Sequence, residues 1–466
     1  MRRRVLLKPK GIIIRRVKMS IRNFKYYEFP SCPHLLEIFE KLLHTPHSFL
    51  LNHGAKHCVS IGLKPRFWIK AFSHGMERNG EFIPSHPLSV LDALIKEHIQ
   101  FNKETMNQEQ FKSGFAGYLN YDLGKLYYTI PSYAKDDLNM PLYEFGYYTS
   151  ILHYDYKKNK MTLIYEEKGD IDEWRAYLEP CSQEITNKDG FVSDRNIAWN
   201  MTREQYQHCI DRIKHYLKEG DIYQVNFARR LQVQGSKLDF LELFPKIIAE
   251  PHGAYLNTPP FHILSFSMER LFKVNGNHIM TQPIKGTVAK DVDPLIDAKN
   301  RKWLENSAKN AAEHVMIVDL ERNDLSRVCR AGKVKVPEFK KLHTYFSVHH
   351  LVSTVKGKLE KEVSFMDVLQ AFFPGGSITG APKLSAQKII EELEPVRRGL
   401  YTGSIGFIDV SGYCDFNIAI RTLIHTGQTH YYSVGGGIVY DSNWEEEYKE
   451  TLDKSTIVLE YLNRSL

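Results

Sequence analysis

Between Thr202 and Gln232 the hydrophobic pattern changes period, and no other stretch narrows the possible folds as far. Thr202 with Gln205 forms a capping box, Tyr206, Cys209, Ile210, Ile213 and Leu217 recur at helical spacing, and Gly220 closes the helix. Tyr223, Val225, Phe227, Leu231 and Val233 then alternate with Gln224, Asn226, Ala228, Arg230 and Gln232, which predicts a strand with one apolar and one polar face. A polar strand face borders solvent or walls a site. Further strand-like runs at Ser404–Val410, Asp415–His425 and Thr429–Val434 alternate with helical patterns around 300–318, 364–372, 383–393 and 443–463. Hairpin-length gaps outnumber crossover helices, so an α+β architecture with mostly antiparallel sheets is expected. Upstream, short strand-like runs (Ser48–Asn52, Tyr147–Tyr154, Lys160–Tyr165) mix with polar turns and carry little recognisable chemistry. By texture the chain divides into a basic extension at 1–18, a region at 19–195, and a chemistry-bearing region at 196–466.

The net charge suggests an acidic partner, but its distribution removes the suggestion. Of the net +7, eight charges come from basic residues between Met1 and Lys18, where no acid occurs; from Met19 onward the balance is −1. Nucleic-acid binding is therefore not expected, and both an upstream start codon before Met19 and a disordered basic tail fit the pattern. The apolar run Gly11–Ile14 is too short for a signal peptide, and no stretch approaches the roughly 20 apolar residues of a membrane span. Six cysteines lie scattered without CxxC spacing, which argues against a zinc site or a disulfide framework and for a reducing, cytoplasmic setting.

Four segments can carry chemistry. In the acidic run Asp441–Thr451, the helix dipole accounts for Glu445 and Glu446, but Glu447 and Glu450 share one helix face a turn further in, where like charges repel. A hard divalent cation such as Mg²⁺ would offset that repulsion, and Glu313, set among small and apolar residues, is a candidate third acid. Its alternative is a partner for Arg322 or Arg327. The loops Gly375–Lys383 and Gly435–Gly437 read either as turns or as places for close backbone approach to a ligand, the first leading into a helix start that can hold an anion. The segment Thr281–Thr287 places Lys285 beside glycine in a Pro/Gly turn. Such a lysine is a solvated surface residue or a nucleophile, and the second role requires a neutral amine.

Taken together, these segments resemble the chorismate-utilising enzymes: anthranilate synthase component I, aminodeoxychorismate synthase component I, and the isochorismate and salicylate synthases. Gly220-Asp221-Ile222-Tyr223-Gln224-Val225-Asn226 resembles the family's G-D-I-Y-Q-V-N, and Ser267-Met268-Glu269-Arg270-Leu271 its S-P-E-x-F. Glu313 onward resembles E-H-x-M-I-V-D-L-x-R-N-D-L, and Gly437 through Thr451 resembles G-I-V-x-D-S-x-P-E-x-E-Y-x-E-T. The likeness covers about residues 200–460, and a weaker one at Phe49–Asn52 makes 19–195 similar to the N-terminal part of anthranilate synthase component I. It implies two subdomains with antiparallel sheets packed against each other and flanked by helices, and chorismate as substrate. It implies Glu313, Glu447 and Glu450 as Mg²⁺ ligands, Tyr401 and Arg421 on the enolpyruvyl carboxylate with the amides of Gly435, Gly436 and Gly437, and Gln224, Gly286, Thr287 and His350 as further substrate contacts.

Two positions separate the family's branches. Isochorismate and salicylate synthases carry a water-activating lysine where this chain has Gln224, and an amide has no accessible proton-accepting pKa. Anthranilate synthases read P-I-A-G-T where the aminodeoxychorismate synthases, like this chain, read P-I-K-G-T at Lys285. That likeness implies covalent attack by Lys285, with Glu269 protonating the departing hydroxyl, ammonia entering at C4, and a product on the way to 4-aminobenzoate and folate. The chain carries no Cys-His glutaminase signature, so the likeness also implies a separate glutamine amidotransferase as ammonia source. Met268, Ser326 and Trp444 depart from the family pattern, and Asn52 replaces a tryptophan-binding serine, which argues against tryptophan feedback. The rivals are anthranilate synthase chemistry on the same fold and a subunit that binds chorismate without turnover.

Overall fold

The computed structural model describes residues 23–30, 33–102, 109–179, 196–235, 240–344 and 348–464; the basic stretch 1–18 lies outside them. The capping box forms as its residues dictate. The Gln205 N–H donates to Thr202 Oγ1 at 3.2 Å and the Thr202 N–H to Gln205 Oε1 at 2.8 Å; the helix runs Arg203–Glu219, and Gly220 ends it at φ 81°. The strand that follows, Gln224–Gln234, is buried on both faces for most of its length, so its polar face walls the interior and not solvent. Tyr223 falls outside it and is exposed.

Among the described residues the strands make two sheets of 12 strands each. The first runs from Lys25–Glu28 through Lys160–Tyr165, Ser150–Asp155, Cys58–Gly62 and Phe49–His53 to Ala254–Thr258. It continues through Phe261–Ser265, Thr422–Thr426, Thr429–Ile438 and Gln224–Gln234 to Asn196–Trp199. The second begins at Ile284–Ala289, passes through Val348–Lys358, His278–Gln282, Arg270–Asn275 and Cys414–Asn417, and reaches Ser404–Asp409, Gly114–Leu119 and Tyr143–Tyr148. Pairing is antiparallel throughout the two sheets, as the short gaps predict.

Phe49, Leu51 and Ile263 of the first sheet pack against the Tyr118, Ile405 and Phe407 side of the second, which forms the core between them. Helices Leu35–Leu43, Lys168–Leu178 and Phe240–Ala249 cover the outer face of the first sheet through Phe39, Trp174 and Ile247. Helices Pro87–His98, Phe365–Phe372 and Lys383–Leu393 supply Leu91, Val368 and Ala386 to the other outer core. The α+β expectation of two packed antiparallel sheets flanked by helices holds.

Three expectations change. Both sheets draw strands from either side of residue 195: Leu50 pairs with Tyr255, and Tyr118 with Ile405. The textural division is thus no division of the sheets, because the N-terminal strands complete edges that would otherwise stay open. The single strand expected over Asp415–His425 is two strands in different sheets, Cys414–Asn417 and Thr422–Thr426, and the chain crosses between the sheets at Ile418–Arg421. The helix expected around 300–318 is a pair, Pro294–Asn306 and Ala308–Ser326.

Candidate active site

Lys285 lies in the edge strand Ile284–Ala289 and not in a turn; Pro283 breaks the chain from the preceding strand His278–Gln282. Pairing with Val348–Lys358 slips between Lys285 and Thr287, where Gly286 takes φ 77°. This bulge re-aims the lysine at the facing sheet. The strand Thr429–Ile438 runs on through Gly435–Gly437, which pair with Ala228, Phe227 and Asn226 and so form no loop. A methyl group on Gly437 would sit 2.2 Å from Nε2 of Gln224 and 3.6 Å from Nζ of Lys285. Gln224 is 1% exposed, and its Oε1 has no hydrogen-bond partner among the described residues. A buried amide oxygen left open is costly, which marks this spot as a place for a ligand's donor. Among the described residues the Lys285 amine enters no ion pair.

Glu269 is buried on the second sheet's side of the same space. Ser377 Oγ donates to its Oε1 at 2.7 Å. Burial lifts this carboxyl above its ordinary range, against the pull of Ser377, the Lys285 charge and the Ile284 N–H. The sheet crossing holds it in place: the Ile418 N–H donates to the Glu269 carbonyl at 2.9 Å, and Ser267 Oγ donates to the Ile418 carbonyl at 2.7 Å.

At the end of that crossing Arg421 has φ 50°, a left-handed conformation sparsely adopted by side-chain-bearing residues. Its carbonyl accepts from the Phe266 N–H at 2.9 Å. Among the described residues its guanidinium makes no ion pair, and the groups that feel its charge are Glu250, His350 and Tyr432. His350 Nδ1 lies 2.8 Å from Thr287 Oγ1, and burial drops the imidazole to about 4, so it is neutral at neutral pH. Tyr401 is 6% exposed, and burial pushes its phenol up.

The acids divide. A methyl group on Gly436 would lie 3.1 Å from Glu447 Oε2 and 3.4 Å from Glu450 Oε1, so these two carboxylates converge on one stretch of backbone. Such a pair suits a hard cation that takes one or two carboxylates plus water and substrate oxygens. Ser442 Oγ donates to Glu447 Oε1 at 2.8 Å, and Lys454 pairs with Glu450 at 2.5 Å. Glu313 does not join them: among the described residues no three His, Cys, Asp or Glu side chains form a metal-binding group. Among the described residues Glu313 forms no ion pair with an arginine, and Arg322 pairs instead with Asp319 at 3.0 Å.

Residues 47–460 match the family described as chorismate binding enzyme. The chain belongs to that family. It is 38% identical over 439 residues to aminodeoxychorismate synthase component 1 of Escherichia coli strain K12, covering 91% of this chain and 95% of that protein. The corresponding protein of Bacillus subtilis strain 168 is 35% identical over 442 residues, covering 90% and 93%. The crystal structure of anthranilate synthase component I from Streptococcus pneumoniae TIGR4 aligns with a TM-score of 0.75 at 28% identity, over 86% of this chain and 91% of that one.

Within this chorismate binding fold, several residues that shape the site gave no signal in the sequence. Arg398 Nη2 and Nε donate to Glu394 at 2.6 and 2.9 Å, and the same guanidinium reaches the carbonyls of Asn226 at 2.7 Å and Ile378 at 2.9 Å. Glu394 in turn accepts from the Ala228 N–H at 3.0 Å. This buried, bidentate pair clamps the Gln224 strand to the loop that carries Ser377. Pro395 interrupts the helical spacing between the two residues, which hides the pair. The Gly375–Lys383 loop, read as a possible anion site at a helix start, instead delivers Ser377 to Glu269, while Lys383 Nζ turns away to Asp324 at 2.7 Å. Asn52 donates to the carbonyls of Ile248 at 2.9 Å and Glu250 at 2.7 Å, tying its strand to a helix end. Among the described residues no helix is long and apolar enough to cross a membrane, and Cys58, Cys209, Cys329 and Cys414 are unpaired.

Proposed function

We propose that this chain replaces the C4 hydroxyl of chorismate with ammonia, giving 4-amino-4-deoxychorismate for 4-aminobenzoate and folate synthesis. The observation that carries the reading is the meeting of Lys285 with the Gln224 amide across Gly437, with buried Glu269 beside the lysine. Gln224 is an amide and supplies no base for activating water at its position, whereas Lys285 can serve as nucleophile and Glu269 as acid. The two relatives named as aminodeoxychorismate synthase component 1 support the same assignment.

Arg421 binds the enolpyruvyl carboxylate through its unpaired fork, next to Tyr401 and the amides of Gly435, Gly436 and Gly437. Neutral His350 orients Thr287, which with Gly286 and Gln224 completes the contacts to substrate. The Lys285 amine, as free base, attacks C2 of the ring; Glu269 gives its proton to the C4 oxygen, the C4–O bond breaks, and water leaves. Ammonia then forms the C4–N bond as Lys285 departs from C2, and the excess proton returns to the Glu269 carboxylate. Glu447 and Glu450 would hold Mg²⁺, with Glu313 the third acid that the likeness implies, and the ion would supply charge neutralisation at the ring carboxylate. Ammonia comes from a separate glutamine amidotransferase subunit, a partner consistent with the name component 1.

Product analysis tests this directly. Chorismate, ammonium and Mg²⁺ should yield 4-amino-4-deoxychorismate, and Lys285→Ala should abolish it while chorismate still binds. Fluorescent anthranilate formed without an added lyase overturns the assignment in favour of amination at C2. Unchanged turnover in Lys285→Ala removes the covalent step.

A further inference from the structure

The apolar face of strand Gln224–Gln234 has one charged exception. Val225, Phe227, Leu231 and Val233 share that face with Arg229, which is 1% exposed. Its guanidinium lies 3.7 Å from the ring centre of Trp199 and 4.0 Å from that of Tyr448, and its Nε donates to Thr451 Oγ1 at 2.8 Å. Among the described residues it pairs with no carboxylate, and its Nη2 has no hydrogen-bond partner. Burying a guanidinium without a counter-ion is costly, and stacking between two rings offsets only part of that cost. An apolar side chain would fill the same space without the penalty. What arginine adds is direction: a planar fork whose orientation two rings and one hydrogen bond define.

The turn it grips carries the acids of the candidate cation site. Tyr448 follows Glu447, and Thr451 follows Glu450, on helix Trp444–Arg464. Arg229 stands two residues from Phe227, which pairs with Gly436, so the guanidinium and the glycine that meets both carboxylates lie on one face of the sheet. Thr451 Oγ1 donates in turn to the Tyr448 carbonyl at 2.6 Å. Tyr206 of helix Arg203–Glu219 packs edge-on against Tyr448, with ring centres 5.4 Å apart. Ser442 and Lys454 engage the carboxylate ends, whereas Arg229 engages the residues next to them in the turn.

We propose that Arg229 is a positioning residue for the cation site: by fixing Tyr448 and Thr451 it sets the rotation of the helix turn that presents Glu447 and Glu450 beside Gly436. The inference rests on those two acids holding Mg²⁺, as proposed above. Mg²⁺ demands near-ideal octahedral geometry at about 2.0–2.1 Å, so a small rotation of the turn costs a ligand. Groups that orient a metal's ligands from behind contribute about 10- to 100-fold in affinity. A buried positive charge repels a nearby cation, so the affinity that Arg229 contributes comes through geometry alone.

Calorimetric titration of the chorismate-free protein with Mg²⁺ tests this on wild type, Arg229→Lys, Thr451→Val and Glu450→Gln. Lysine keeps the charge and gives up the planar fork, so Arg229→Lys should bind Mg²⁺ at least about tenfold more weakly. Thr451→Val keeps the shape and removes the acceptor, which should weaken binding about three- to tenfold; it decides the matter alone if Arg229→Lys does not fold. In turnover, the Mg²⁺ concentration for half-maximal rate should rise by the same factors, while the rate at saturating Mg²⁺ stays within about twofold of wild type. A lower thermal midpoint with unchanged Mg²⁺ affinity in Arg229→Lys and Thr451→Val overturns the proposal, since a merely structural contact gives that result. So does a loss of rate that saturating Mg²⁺ does not restore. Glu450→Gln separates the two layers of inference: binding weakened by this variant and by neither of the others refutes the positioning role alone, and binding unchanged in all three refutes the cation site beneath it.

Discussion

Gly437→Ala should separate folding from chemistry. The added methyl would lie 2.2 Å from Nε2 of Gln224, so that amide must retreat by about 1 Å, and the methyl would also contact Lys285 Nζ at 3.6 Å. The strand itself accepts alanine, because Gly437 is extended and its obstruction is the flexible end of a side chain. Loss of glycine freedom in the unfolded chain adds about 0.4–1 kcal/mol of stability and offsets the cost of moving Gln224. Reaction is less tolerant, since near-attack distances are about 3–3.5 Å and a misplacement of about 1 Å costs on the order of 10²-fold. The expected loss in kcat/KM is therefore about 10²-fold, or about 2.7 kcal/mol, with thermal unfolding unchanged or slightly higher. Steady-state kinetics with ammonium, paired with calorimetry, measures both. A folded variant with wild-type kcat/KM refutes the placement of the reacting ring between Gln224 and Lys285.

Glu269→Gln should lower kcat by about 10²–10⁴-fold, the usual contribution of a positioned acid. It should also flatten the pH dependence of stability: the raised carboxyl keeps its proton in the fold after the unfolded chain has lost it, so its contribution is present below about pH 4 and is lost as pH rises. A thermal midpoint that falls equally with pH in wild type and variant contradicts that sign. Arg421→Gly should relieve the left-handed backbone at φ 50° and raise stability by about 1 kcal/mol, while KM for chorismate rises about 10- to 100-fold for the lost charge-assisted bond. Tighter chorismate binding by this variant would exclude Arg421 from the carboxylate site. Glu450→Gln should weaken Mg²⁺ binding at least about tenfold by titration calorimetry, since Mg²⁺ relies on only one or two carboxylates; unchanged binding would place the cation elsewhere.

What the sequence disclosed was local. The helix at Arg203–Glu219, its caps and the strand after it follow from spacing and from residues within a turn of each other. Which face of that strand met the site did not follow, because period 2 separates two faces without saying what covers either. Pairings such as Leu50 with Tyr255 span both regions of the chain, so the division at residue 195 looked real in texture and is absent from the sheets. Arg421 was found by likeness and its conformation was not, since nothing local signals that Asp415–His425 changes sheets.

The glycine run at 435–437 sharpens why local reasoning stopped short. Three glycines in a strand give up side-chain packing and add to the entropy cost of folding, so a loop was the natural expectation. The structure instead pairs all three with Ala228, Phe227 and Asn226 and uses both faces of the same backbone. Gly436 admits the oxygens of Glu447 and Glu450, and Gly437 admits the Gln224 amide and the Lys285 amine. Successive residues of a strand point to opposite faces, so one backbone can approach the acidic pair and the nucleophile only if it carries no side chain on either face. Substituting one of these glycines therefore disturbs one set of groups: Gly436 the carboxylates of Glu447 and Glu450, Gly437 the Gln224 amide and the Lys285 amine.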